Sequence, residues 1–398
     1  MNILFLTENE ISPMQGGTER ITKSLSESLM NEYGCECSSI YRFPTSLPIK
    51  TDFTHKERLD EKNIATQLDR FYKEKKIDVV ICNYVSHKSR LLINPTAYRL
   101  AKENKCKFLM CYHAMPGEDM IGNSFSNSWF RITNKINIVS SIKDILLNIT
   151  PSCIKNIIFS NYYKKKYRFL YDHCDNLVLL SEKFYEPYAK IAKIKIDEKF
   201  KYLNNALSYT QFATNDDIES KAKEVLIISR LDDKVKRISL ALKIWKKVEE
   251  NKISKDWHLN IIGGGIDETY LKKFASKLDL KRVSFLGRQE DIVNFYKRSS
   301  IFMMTSIYEG WGLTLTEAQQ FGVVPIAFNT YASITDIISD GNNGYIVEDM
   351  QINDYASKIC NLMTNESVRK QMSKNSIESS KRYTQNKITL KLLEICQS

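Results

Sequence analysis

No run in these 398 residues approaches the ~20 consecutive apolar positions that a bilayer-spanning helix needs. The nine cysteines include no Cys-x-x-Cys pair and the five histidines do not cluster, which argues against a zinc site or a disulfide framework and for a reducing cytosol. The chain lacks a Gly-x-Gly-x-x-Gly dinucleotide fingerprint and a Gly-x-x-x-x-Gly-Lys-Ser/Thr phosphate loop. It has no Gly-x-Ser-x-Gly nucleophile elbow either, so serine-based hydrolysis is poorly supported. No recognition helix, zinc finger or ribonucleoprotein motif is present, which makes nucleic acid the weakest of the anionic partners considered below. The apolar opening Met1-Asn2-Ile3-Leu4-Phe5-Leu6 has no basic leader and is cut short by Glu8 and Glu10, so it reads as a first buried strand rather than a targeting segment.

What is present is a soluble globular composition, 43% hydrophobic and 26% charged, long enough for two domains. The formal charge of +11 suits an anionic partner, such as phosphates or an acidic membrane face, although richness in Lys, Ile and Asn from genome composition would give the same excess. Short runs of Val, Ile, Leu and Phe with little polar alternation predict strands buried on both faces of a parallel sheet. These are Asn2–Thr7, Val79–Asn83, Lys107–His113 and Asn176–Leu180, then Val225–Ser229, His258–Ile262, Val283–Leu286, Ser300–Met304 and Val324–Phe328. Amphipathic stretches between them, among them Thr18–Met30, Ile238–Asn251, Glu268–Leu278 and Asp291–Arg298, complete strand–helix–strand units. The polar stretch Tyr209–Ser220 predicts a hinge, giving an α/β protein of two doubly wound parallel-sheet domains, 1–208 and 209–375.

The densest chemical signal is Ser306-Ile307-Tyr308-Glu309-Gly310-Trp311-Gly312-Leu313-Thr314-Leu315-Thr316-Glu317, in which seven residues separate two glutamates. An apolar strand leads in and an apolar-periodic helix follows from about Leu313 to Phe321. A helix start after a glycine loop points free N–H groups at a bound anion. Were the whole interval helical, the glutamates would lie ~12 Å apart. Two carboxylates also serve glycosidases, but those need ~5–10 Å around one bond. Other strand ends carry suitable groups. Arg230 and Lys236 flank a turn after Val225–Ser229 and suit phosphate oxygens, with Lys234 and Arg237 as competitors for the second role. Gly16 and Gly17 follow the first strand, Gly263, Gly264 and Gly265 follow His258–Ile262, and Arg288 follows the next strand, as a base-stacking or a surface residue. His113 ends a strand, where a lone histidine is either structural or a ligand contact.

These motifs resemble those of the retaining glycosyltransferases of family 4, group 1, most specifically from Val225 to about Val347. The resemblance implies a GT-B fold, with two Rossmann-like domains facing across a cleft and a C-terminal helix, 376–398, that rejoins the first domain. It implies transfer of a sugar from a nucleoside diphosphate sugar, with a UDP-sugar expected, to a glycan or lipid-linked acceptor in bacterial surface polysaccharide synthesis. Glu309 and His113 would then act at the donor sugar, beside Gly310 and Trp311. Arg230, Lys236 and the N–H groups around Gly312, Leu313 and Thr314 would hold the diphosphate, and Glu317 the ribose. Gly16 and Gly17 would border phosphate and acceptor, and Gly263, Gly264 and Arg288 would wall the base. No Asp-x-Asp pair is present, so no metal and no further cofactor are expected. A nucleotide-sugar hydrolase or epimerase, or a non-catalytic partner subunit, are the alternatives on the same architecture.

One region departs from simple alternation. Phe125–Tyr171 interleaves aromatics and aliphatics with lysines, ending in Tyr162-Tyr163-Lys164-Lys165-Lys166-Tyr167-Arg168. It suits either an interfacial helix on an anionic bilayer or a core-facing helix with a solvated face. The expected location is therefore cytoplasmic, with a peripheral membrane contact if the first reading holds.

Overall fold

The apolar runs do become strands buried on both faces. The computed structural model describes residues 1–12, 16–48, 51–83, 93–121 and 152–398. Its strands form two separate sheets, parallel throughout. The first comprises β1 (Asn2–Asn9), β2 (Glu36–Phe43), β3 (His55–Arg58), β4 (Val79–Cys82), β5 (Lys107–Tyr112), β6 (Asn176–Leu179) and β7 (Phe200–Tyr202). The second comprises β8 (Glu224–Ile228), β9 (His258–Ile262), β10 (Val283–Gly287), β11 (Ile301–Met304), β12 (Val324–Phe328) and β13 (Tyr345–Val347). Their orders are β3-β2-β1-β4-β5-β6-β7 and β10-β9-β8-β11-β12-β13. Each order reverses once, between β1 and β4 and between β8 and β11. At such a switch point neighbouring crossovers leave in opposite directions and open a crevice beyond the carboxyl ends of the strands.

Four strands were not evident in the sequence, for physical reasons. In β2 the core positions include Ser38 and Ser39, both buried, so hydropathy understates the burial. The edge strand β3 reads His-Lys-Glu-Arg and buries none of its side chains fully. The other two, β7 and β13, are three residues long and lie at sheet edges.

The chain divides into two compact units, Met1–Leu203 with Leu392–Ser398, and Asn204–Lys391. The division falls five residues before the expected boundary, so the polar stretch Tyr209–Ser220 lies within the second unit. There Gln320 Nε2 donates to the carbonyls of Tyr209 and Gln211, both at 2.7 Å. Thr214 caps the short helix Asn215–Glu219 through a reciprocal box with Asp217. The C-terminal return is also shorter than residues 376–398. Helix Glu366–Ser380 belongs to the second unit, where Ser373 Oγ donates to the Gly322 carbonyl at 2.5 Å. Only Leu392–Ser398 joins the first, where Lys107 Nζ donates to the Ile395 carbonyl at 2.7 Å.

Much of the region read as interfacial, 125–151, lies outside the described residues. Among the described side chains of helix Ser152–Asp172, from residue 160 on, those buried are Tyr163, Lys166, Tyr167 and Leu170, a spacing that lines one helical face. The aromatics Tyr163 and Tyr167 thus belong to the core rather than to a membrane face, and Tyr162, Lys165 and Arg168 point outward. Lys166 is held by Asp119, whose carboxylate also accepts from Tyr167 Oη at 3.2 Å. Tyr167 Oη lies 2.8 Å from Tyr112 Oη and accepts from Gly117 N–H at 2.8 Å. This network ties the segment following β5 to the helix. Among the described residues no helix is long and apolar enough to cross a membrane.

Candidate functional site

In the second unit the expected residues gather at the β8/β11 switch point. Arg230 follows β8 with its side chain 67% exposed and only a 3.7 Å approach to Asp232 Oδ2, so it stands out from the strand end as expected. Lys236 closes the short helix Asp233–Lys236, and its Nζ pairs with Glu309 Oε1. Ser306 Oγ donates to the same oxygen at 2.6 Å. Both charged side chains are mostly buried, so this pair is screened less than a surface pair would be.

Arg237 does not compete for the phosphate role. Its backbone is left-handed, φ 48°, an unfavourable conformation for a side-chain-bearing residue. Its guanidinium instead braces the Glu309 loop, with Nε donating to the Thr305 carbonyl at 2.7 Å and Nη2 to the Ser306 carbonyl at 3.3 Å. It also pairs with Asp349 at 2.8 Å and lies over the Phe328 ring. Thr305 Oγ1 returns the contact by donating to the carbonyls of Lys236 and Arg237 at 2.8 and 3.1 Å. The turn bearing Lys236 and the loop bearing Glu309 are thereby stapled in both directions. Ser306, Thr305 and the bracing role of Arg237 were missed in the sequence, since nothing in their spacing distinguishes them.

The helix after the loop is Leu313–Gln320, entered through Gly312 at φ 95°, where a side chain would also crowd Tyr331 Oη. The glutamate interval is therefore loop in its first half, and the ~12 Å all-helical separation does not apply. N–H groups of Leu315 and Thr316 turn back to the Gly312 carbonyl, so those of Leu313 and Thr314 are the helix-start donors left for an anion.

Two residues differ from expectation. Glu317 is 1% exposed, accepting from Ser208 Oγ at 2.5 Å and from Tyr296 Oη at 2.8 Å, so it is not an open carboxylate. The helix is enclosed on every side from Leu315 to Gln320, so Glu317 is buried along with its neighbours. Trp311 is 2% exposed and packs edge-on against Tyr383, with ring centroids 5.1 Å apart. It is a core residue and its ring does not line a sugar pocket; the Gly310 carbonyl beside it accepts from Ser333 Oγ at 3.2 Å.

Glycines after β9 are needed for close approach. A Cβ on Gly263 would lie 1.8 Å from the Ser229 carbonyl oxygen, and one on Gly265 would lie 2.3 Å from that of Leu231. This lets the β9 end pack on the Arg230 turn, where Leu231 N–H donates to the Gly264 carbonyl at 3.1 Å. The Arg288 side chain lies over Gly264, 3.4 Å from where its Cβ would be. The residues assigned to the base are thus brought together beside Arg230.

In the first unit, a cavity of about 200 Å³ opens at the β1/β4 switch point, lined in part by Glu8, Glu19, Asn83 and His113. Asn83 Nδ2 donates to Thr22 Oγ1 at 2.8 Å, which leaves its Oδ1, 3.0 Å from His113 Nε2, as an acceptor. His113 therefore carries its proton on Nε2, and among the described residues its buried Nδ1 lone pair has no partner. Burial pushes the imidazole down to about 4, so it is neutral near pH 7. A neutral imidazole with a bare nitrogen can accept from a hydroxyl.

Gly16 and Gly17 open helix Gly17–Tyr33, but Glu19 Oε2 sits within 2.8 Å of a Cβ built on Gly16. A carboxylate already stands at this helix start, which is at odds with a phosphate there. Asn83, Glu8 and Glu19 were not picked out in the sequence. Among the described residues no three His, Cys, Asp or Glu side chains gather as metal ligands.

Residues 210–379 match the family model described as glycosyl transferases group 1, so the second unit carries the family's characteristic region. The resemblance seen in the motifs thus holds at the level of that family. An uncharacterized glycosyltransferase of Haemophilus influenzae is 31% identical over 220 residues, covering 54% of this chain and 59% of that one. A Campylobacter jejuni protein, named as an α-1,4-N-acetyl-D-galactosaminyltransferase acting on an undecaprenol diphosphate-linked glycan, is 28% identical over 235 residues, 57% of this chain and 62% of that one. The matched stretches thus span about six-tenths of these curated relatives. Over its full length the chain superposes on HepE of Anabaena, solved in complex with UDP, with a TM-score of 0.70, 13% identity and complete coverage of both chains. The fold is that of the GT-B glycosyltransferases.

Proposed function

We propose that this protein is a retaining, metal-independent hexosyltransferase of family 4. It moves a sugar from a nucleoside diphosphate sugar, a UDP-sugar first, to a glycan or lipid-linked acceptor in bacterial surface polysaccharide synthesis. The observation that carries the proposal is the juxtaposition of Lys236 with Glu309 at a helix start, with Arg230 extended from the neighbouring strand end. Cation, carboxylate and free N–H groups meet where a diphosphate-linked sugar needs all three. The relatives support the reading: HepE was solved with UDP, and the Campylobacter protein is named for transfer to a lipid diphosphate-linked glycan.

In this reaction Arg230 and Lys236 neutralise the departing diphosphate, aided by N–H groups around Gly312, Leu313 and Thr314. Lys236 exchanges part of its contact with Glu309 for phosphate oxygen, which frees Glu309 to take sugar hydroxyls while Ser306 holds its orientation. Glu317 accepts from the ribose by exchange, with a ribose hydroxyl replacing that of Ser208. The leaving phosphate takes the acceptor proton, so no protein base is required. The enzyme works in the cytoplasm, at the inner membrane face when its acceptor is lipid-borne.

A thermal-shift screen against UDP-, GDP- and ADP-sugars tests the proposal, since a ligand that binds only the native state raises its melting point. Stabilisation by one nucleotide class, followed by turnover that needs an acceptor, is the expected result. Turnover without acceptor would point to a hydrolase or epimerase, and no shift with any nucleotide would end the reading. Ser208→Ala should enlarge the nucleotide-induced shift, because Glu317 Oε1 then has one resident donor fewer to give up. An unchanged shift would remove the exchange step.

A further inference from the structure

The two strand-end sites differ in charge: among the described residues the first-unit cavity is lined by two acids and no matching cation. Glu8, at the end of β1, and Glu19, in the first turn of helix Gly17–Tyr33, both line it. Asn83 at the end of β4 and His113 at the end of β5 add neutral polar groups to the lining. Among the described residues no lysine or arginine lines it. The Glu19 carboxylate occupies the helix start where an anion would otherwise be drawn. His113 Nδ1, buried and without a partner among the described residues, is the polar atom of the imidazole left to meet a ligand hydroxyl.

From this arrangement we infer that the cavity takes an uncharged, hydroxyl-bearing sugar ring and rejects acidic ones, with Glu8 and Glu19 as the specificity-determining residues. The inference rests on the transferase reading for its biological setting, but not for its chemistry. Hydroxyls of a neutral ring can donate to both carboxylates and to His113 Nδ1 at once. A uronate or phosphate would add a like charge beside two existing ones in a partly desolvated pocket, which amounts to roughly a tenfold or greater preference for the neutral ring. The ring can come from the acceptor or from the donor, and both present the same chemistry to this wall.

The test uses the full chain and matched pairs that differ only in charge. Methyl glucoside and methyl glucuronide, with their galacto counterparts, are titrated by saturation-transfer NMR. UDP-glucose and UDP-glucuronate, with their galacto counterparts, are titrated by calorimetry. The uncharged member should bind at least about tenfold more tightly in one arm. Preference among the free glycosides identifies an acceptor ring, and preference among the nucleotides a donor ring. The Glu8→Gln/Glu19→Gln double variant should lose the preference while still binding the neutral ring. Raising the salt concentration on the unmodified protein should shrink it as well, which tests the electrostatic cause without a substitution. Equal affinities within every pair, a preference that survives in the double variant, or binding of no sugar at all would each overturn the inference. Failure of UDP itself to bind, with the glycoside preference intact, would sink the transferase reading alone.

Discussion

At the end of β11, Glu309 meets an ammonium and a hydroxyl; at the end of β5, His113 meets, among the described residues, the amide of Asn83. The two sheets share one topology and one way of making a crevice, yet one crevice is built from opposite charges and the other from acids and neutral groups. Charge near the second is kept in place by a brace of further charged groups, Arg237 and Asp349. Position near the first is set by hydroxyls and aromatic packing, with the buried ion pair of Lys166 with Asp119 behind them. A fold repeated in one chain therefore fixes where a ligand can enter, and the side chains at the strand ends decide what kind of ligand it is.

The contrast can be broken most directly at Lys236. Lys236→Ala leaves Glu309 with only Ser306 and removes a cation from the diphosphate, so turnover should fall on the order of 10²–10³-fold. A loss of less than threefold in steady-state assays would mean that the charge pair is not part of the reaction.

In the first unit the largest expected effect is on stability. Asp119→Ala removes the carboxylate paired with the buried Lys166 ammonium, and urea unfolding should show a loss of about 3–5 kcal/mol. An effect within error would show that tyrosine packing alone holds the segment after β5.

The acid response of His113 is smaller. Its native value near 4 lies below the ordinary 6.5, so the unfolded chain binds the proton first. Its contribution is full above about pH 6.5 and declines as pH falls towards 4, by roughly 3 kcal/mol in total. Unfolding measured from pH 7 to 4 should be less steep for His113→Gln. An equal slope would mean that the ring is solvated.

Legibility followed the same division. The strand ends of the second unit stood out because Arg230, Lys236, Glu309 and Gly312 occur in short, locally distinctive strings beside apolar runs. What those strings concealed was orientation. Trp311 and Glu317 lie in the same loop–helix segment as Glu309, yet both turn inward, one onto Tyr383 and the other onto Ser208 and Tyr296. Arg237 looked like a second phosphate ligand because composition cannot separate a guanidinium facing solvent from one saturated by carbonyls. In the first unit, Glu8, Glu19, Asn83 and His113 come from four strand or helix ends as many as 105 positions apart, and no local spacing marks them as a group. The boundary between the units differs by five residues for a similar reason, since polar side chains at Tyr209–Ser220 signal exposure while the backbone at Tyr209 and Gln211 is held by Gln320.

From sequence alone came the two parallel α/β sheets, most of the strands, the family resemblance and the acid–base composition of the second site. Those follow from local properties, namely apolar runs, glycine at turns and charge at strand ends, which act over a few residues. Tertiary structure decided which of those side chains face a ligand, which are spent as braces, and that an acidic cavity lies at the other sheet. Burial and pairing are relations between residues distant along the chain, and only folding creates them.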